Sequence, residues 1–219
     1  LLIGLLSPNP QAGFVAYWGL AMMLLWGNAY LIQAQHRDPQ DAAWVTGLLW
    51  TCGGLIVPLF SAISQGMMRR GRSSRVARGW LTAGCVIVGG GSIMVMAMLP
   101  WGPLQLTFLV LGFGLPSVIY ALGAAMAGEI APLSQRGAIL AINTAVATLG
   151  GLISPAVMGK LVQLGPTLEA GYRNGFMLAG AVTLVGGIIA AVLINPEADR
   201  ARFAAAAKGR PLVAAAGSD

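Results

Sequence analysis

Six apolar stretches fill most of the chain, at residues 14–34, 45–66, 79–99, 104–128, 138–163 and 174–195. Each is about twenty residues or longer, the helical length that crosses about 30 Å of hydrocarbon at 1.5 Å per residue. In lipid the backbone must satisfy its own hydrogen bonds, and a helix does so without help from another segment. The pattern predicts an all-α membrane protein with six transmembrane helices. Residues 1–13 read as a linker or the end of a preceding segment, 14–195 as the bundle, and 196–219 as a cytoplasmic tail.

Hydrophobic residues make up 57% of the chain, charged residues 9%, and mean hydropathy is +0.76, values foreign to a water-soluble domain. The net charge of +6 would suit nucleic acid, but its placement argues otherwise. Arg69, Arg70, Arg72, Arg75 and Arg78 lie in one short loop with no acid among them, the mark of a cytoplasmic side. Alternation then puts both termini, and the loop from Glu129 to Arg136, on that side. The opposite loops mix charges: Arg37 with Asp38 and Asp41, Lys160 and Arg173 with Glu169. Trp44, Trp80, Trp101 and Tyr172 fall near segment ends, where amphipathic rings sit at headgroup level.

Enzyme chemistry finds no footing. His36 is the one histidine and lies by a loop, Cys52 and Cys85 sit inside apolar stretches, and no His-Glu-x-x-His helix occurs. No catalytic residue, metal site or cofactor is expected. The 31 glycines suit helices that approach closely in lipid, as in the stripes Ala179, Thr183, Gly187, Ala191 and Gly151, Pro155, Gly159. Pro58, Pro116 and Pro155 lie within spans, where each removes a backbone bond.

Four segments resemble the C-terminal six-helix half of a major facilitator superfamily transporter. Ser61 to Arg72 is similar to the loop motif of that family, with Gln65 in place of its Asp and Arg69 and Arg70 among its basic residues. Glu129, six residues, then Arg136-Gly137 matches the acid and Arg-Gly arrangement between the fourth and fifth helices of a half. Asn195-Pro196-Glu197 with Arg200 resembles the segment after the last helix, and Gly150-Gly151, Pro155, Gly159 the fifth helix. The likeness runs from about residue 14 to residue 200. It implies a secondary transporter of a small organic solute working by alternating access, with an N-terminal six-helix half as partner in the lipid bilayer. It also implies a coupling proton or ion and a bacterial inner membrane. The Tyr172-Arg173-Asn174-Gly175 segment and the fifth-helix pattern are similar to the anion:cation symporter branch, whose substrates are organic acids. A non-catalytic membrane subunit and an efflux pump for hydrophobic compounds remain alternatives.

Within that family the first, second, fourth and fifth helices of a half line the central cavity, and the third and sixth support them. Trp26, Tyr30 and Gln33 share a face of the first span by their spacing, and Asn28 lies on the same helix. With Tyr120 and Asn143 they form the expected substrate-binding set, since an intramembrane amide needs a partner or water. Interhelical packing bonds are the competing reading of the same residues. Arg69, Arg70, Arg136, Glu129 and Glu197, at helix ends where pairs are partly desolvated yet breakable, form the expected cytoplasmic charge latch. No span carries an ionisable group at its middle, so charge recognition and coupling fall to the other half.

Overall fold

The computed structural model describes residues 8–130 and 136–193. The tail, with Glu197, and most of the loop after Glu129 lie outside the described residues. Every regular element among them is helical: α1 Pro8–Gln33, α2 Pro39–Arg69, α3 Leu81–Met98, α4 Pro103–Gly114, α5 Val118–Ile130, α6 Arg136–Leu164 and α7 Leu168–Leu193. A six-residue π-helical turn, Arg75–Trp80, leads into α3. A 3-10 turn, Leu115–Ser117, joins α4 to α5 as one span. The result is six helices long and apolar enough to cross a membrane.

Helix ends follow local chemistry. Asp38 caps α2 by accepting a hydrogen bond from the Gln40 N–H at 2.9 Å, and Pro39 occupies the first turn, where its missing donor costs nothing. This carries α2 six residues before the apolar run begins at residue 45. α2 ends where Gly71 takes a φ of +79°, a left-handed conformation that glycine adopts without steric cost. The Gly71 and Arg72 N–H groups then bond back to the Met68 and Met67 carbonyls.

Three prolines interrupt the spans, and residue i−4 is glycine each time: Gly54 before Pro58, Gly112 before Pro116, Gly151 before Pro155. Proline removes the bond to that carbonyl and crowds it. At Pro116 the span tightens into the 3-10 turn, where the Ser117 hydroxyl donates to the Gly114 carbonyl at 2.5 Å.

Packing pairs α1 with α6 and α3 with α7, and α7 also lies against α1. Glycine sets the separations. A Cβ at Gly90 would collide with the Leu184 backbone, one at Gly180 with Met94 and the Gly90 carbonyl, and one at Gly150 with the Phe14 carbonyl. Met22, Leu31, Met96, Met158, Tyr172 and Phe176 fill the space between, all fully buried. α2 and α6 are the least covered spans: 6% and 17% of their most apolar stretches are buried, against 39–50% in the other four.

The Gly90 contact is testable. Gly90→Ala forces two backbones apart and should cost about 1–3 kcal/mol, seen as a lower melting temperature in lipid or detergent. Gly91→Ala, where nothing lies within 4 Å, should leave melting unchanged or raise it slightly. Equal effects at the two positions would contradict glycine-limited packing of α3 on α7.

Candidate functional site

Tyr17 on α1 and Tyr120 on α5 meet edge to face, ring centroids 5.1 Å apart at 70°. With Asn143 and Thr144 of α6 they wall a cavity of about 120 Å³, room for a few waters. The Asn143 Oδ1 is buried there with no hydrogen-bond partner among the described residues. An amide oxygen left so costs about 1–3 kcal/mol, which a donor entering the cavity would recover. Two phenols, a hydroxyl and a carboxamide offer neutral donors and acceptors; no ionised group lines the cavity.

Tyr120 also borders a second cavity of about 290 Å³ between α1, α2 and the α4–α5 span. Its wall is mainly apolar, with Trp50, Gly53, Gly54, Phe113 and Pro116 beside the hydroxyls of Ser117 and Thr183. The 3-10 break at Pro116 falls at this cavity, and Gly54, whose carbonyl Pro58 leaves without its helical bond, lines the wall opposite.

The expected substrate-binding set therefore divides. Tyr120 and Asn143 meet at the small cavity, joined by Tyr17 and Thr144. Trp26, Tyr30 and Gln33 are committed elsewhere, at the end of the bundle away from the arginine loop. Trp26 donates from Nε1 to the Pro155 carbonyl at 3.1 Å, and Gln33 Oε1 accepts from the Tyr172 hydroxyl at 2.9 Å. The Tyr30 hydroxyl accepts from Gln35 and Gln105 at 2.8 and 2.9 Å. Gln105 Nε2 also reaches the Met96 and Leu99 carbonyls, at 3.1 and 2.9 Å. These bonds tie α1, α6, α7 and the α3–α4 turn together. Asn28 is exposed and lines neither cavity. Tyr172, expected at headgroup level, is fully buried, its ring 5.7 Å from that of Tyr30 and its hydroxyl donating to Gln33 at the exposed end of α1. Around this brace, His36 pairs with Glu169 at 3.0 Å and the Arg37 guanidinium lies 5.4 Å from the Trp101 ring centre.

At the arginine end the expected latch changes partners. Glu129 pairs with Arg78 at 2.8 Å, not with Arg69, Arg70 or Arg136, and also accepts from the Ser74 hydroxyl at 2.9 Å. Ser74 and Arg78, four residues apart where the π-helical turn begins, share a face and reach the same carboxylate oxygen. Arg69 and Arg70 are exposed, and Arg136 donates to the Gly128 carbonyl. The pair is contained within this bundle.

A family model described as Major Facilitator Superfamily matches residues 12–217. The chain belongs to the Major Facilitator Superfamily. Six apolar helices and this membership make it an integral membrane protein. The chain is also similar to the probable sulfoacetate transporter SauU of Cupriavidus necator, 29% identical over 188 residues. The match covers 82% of this chain and 40% of that protein, so the chain spans less than half of its relative's length.

Tyr17, Arg78 and Gln105 are the residues that helix periodicity does not single out. A tyrosine one turn inside an apolar run looks like lining, and only the register between α1 and α5 brings Tyr17 to Tyr120. Ser74 and Arg78, four apart at the mouth of a span and facing an acid on the next inner loop, carry the one signal that was available for the pair.

The side chains of Arg78 and Glu129 are 21% and 28% exposed, so removing one partner strands the other. Arg78→Leu should lower the melting temperature more than Arg69→Leu, and Glu129→Gln should restore part of the loss in the double variant. Melting that responds equally to the two arginines would show that Glu129 is not the anchor of this end.

Proposed function

We propose that this chain is the C-terminal half of a secondary active transporter that moves a small organic acid across a membrane by alternating access. The observation that carries the reading is the Tyr17–Tyr120–Asn143 cavity, a pocket inside a bundle of this superfamily whose buried carboxamide oxygen has no partner among the described residues. The length of the chain against its relative supports a missing half, and the uncovered faces of α2 and α6 supply where it would dock. The name of that relative supports an organic acid as substrate class. The hydroxyls and the Asn143 carboxamide would hold hydroxyl or carboxyl oxygens of the solute, while a cation for its charge, and the group that couples transport to a proton or ion, would come from the other half. The reaction is translocation, with no bond made or broken in the solute. Membership of the superfamily supports an inner-membrane location with the Arg69–Arg78 loop and both ends in the cytoplasm.

The mainly apolar wall of the 290 Å³ cavity favours a second reading, export of hydrophobic compounds. Uptake of labelled organic acids into vesicles holding the complete transporter separates the two. Acid uptake that lipophilic cations do not inhibit supports the first; export of lipophilic cations without acid transport supports the second.

In the complete transporter, Asn143→Leu should raise KM for the acid about tenfold, the worth of one well-placed hydrogen bond. Thr46→Val, whose hydroxyl bonds to the Ala42 carbonyl of its own helix, should change it little. Equal sensitivity at both positions would count against the cavity. Orientation has its own check: cysteines placed at Gln40 and Ser73, both exposed, should label from opposite faces of a sealed membrane. Labelling from one face would reverse or remove the proposed topology.

A further inference from the structure

Six arginines, Arg69, Arg70, Arg72, Arg75, Arg78 and Arg136, stand at one end of the bundle against a single described acid, Glu129. Glu129 takes Arg78, and Arg136 turns to a backbone carbonyl. Arg69, Arg70 and Arg72 are exposed. Arg75 lies with its guanidinium carbon 6.0 Å from the centre of the Trp80 ring, within reach of the cation–π attraction that holds a guanidinium over an indole. Its Nε is buried without a hydrogen-bond partner among the described residues. Trp80 itself is 54% exposed, on the turn that enters α3.

The loop cannot carry these charges far from the membrane surface. Its backbone is tied to the end of α2 by the Arg72 N–H to Met67 carbonyl bond at 3.1 Å, and α3's lead-in turn begins at Arg75. The arginines therefore sit where hydrocarbon gives way to water, the depth of lipid phosphates, with an exposed indole of the kind that rests at that level.

We propose that Arg72, Arg75 and Trp80, with Arg69 and Arg70 at the rim, form a binding site for the headgroup of an anionic phospholipid. The indole packs against the glycerol and upper acyl region while the guanidinium groups receive the phosphate oxygens, a geometry in which arginine gives paired hydrogen bonds. Charge complementarity selects this occupant: several cations with no further acid among the described residues to neutralise them, held at the surface of a bilayer. The site lies apart from both cavities and does not depend on what is transported.

The test uses the complete protein in phosphatidylcholine bilayers containing either brominated phosphatidylglycerol or brominated phosphatidylcholine. Comparison with Trp80→Phe isolates the quenching of Trp80 from that of the other indoles. Trp80 should be quenched at lower mole fractions of the anionic lipid, and each of Arg72→Gln and Arg75→Gln should lower that preference about fivefold. Arg173→Gln, at the opposite end, should leave it intact, and millimolar inorganic phosphate should not displace the lipid. Should a glutamine variant fail to fold, as read from its helical circular dichroism, the unaltered protein still decides the matter. Its preference should fall as ionic strength rises, because salt screens exposed charge. Equal quenching by the two lipids, a preference indifferent to salt, displacement by inorganic phosphate, or a Trp80 that neither lipid reaches because an acidic segment of the protein covers it would each overturn the site.

Discussion

Between helices in hydrocarbon there is no water to expel, so the force that assembles a soluble bundle is missing and close backbone contact must supply the attraction. The structure meets this demand at a few glycines. Gly90 and Gly180 bring α3 and α7 together until carbonyl faces backbone, and Gly150 does the same for α6 against Phe14 of α1. Two tight pairs, α1 with α6 and α3 with α7, follow from these contacts. The register of each pair is then fixed, and with it the position of every polar side chain that the spans carry.

Polar groups in such a setting have few places to go. At the end away from the arginines most of them are spent on one another: Tyr172 bonds to Gln33, and Gln35 and Gln105 bond to Tyr30, so that α1 is tied to α4 and α7. That end is stiff. The middle of the bundle is less fully satisfied: the Thr183 hydroxyl faces the larger of the two cavities and the Asn143 amide oxygen borders the smaller, neither with a hydrogen-bond partner among the described residues. Of the two, a carboxamide is the costlier group to leave bare, because its oxygen cannot rotate to bond its own helix as a threonine hydroxyl can. The 3-10 break at Pro116 and the Gly54 carbonyl freed by Pro58 border the larger of these cavities, so loosened backbone lies beside unsatisfied side chains.

The number of spans was legible from sequence because each apolar run is long and hydrocarbon permits only one local answer to its length. The family was legible from short motifs at helix ends, where spacing along the chain is also spacing in space. The small cavity was legible in half. Asn143 and Tyr120 announce themselves as polar groups in apolar runs, but so do Tyr30 and Gln33, and a single helix cannot say whether its polar face meets a cavity or another helix. That choice was made by Tyr172, which a reading of segment ends had placed at the lipid surface and which the fold buries against α1. Arg78 was half legible for a related reason: its spacing of four from Ser74 puts both on one face, but only the packing of α5 against the entry of α3 brings Glu129 to that face.

The Glu129–Arg78 pair changes what the arginine end is able to do. A carboxylate satisfied within its own half by both an arginine and the Ser74 hydroxyl holds α5 to the entry of α3, and that contact travels with the bundle if the bundle rocks. A contact that opens and closes between two halves must instead use groups that this half leaves uncommitted. Arg69 and Arg70 meet that condition, being exposed at the end of α2, the least buried of the six spans. The same two arginines are within reach of lipid phosphate, so an acidic group of an opposing half and an anionic headgroup would compete for them. The half would then be anchored rigidly through Arg78, and the neighbouring arginines would be free to exchange partners as the surrounding surface changes.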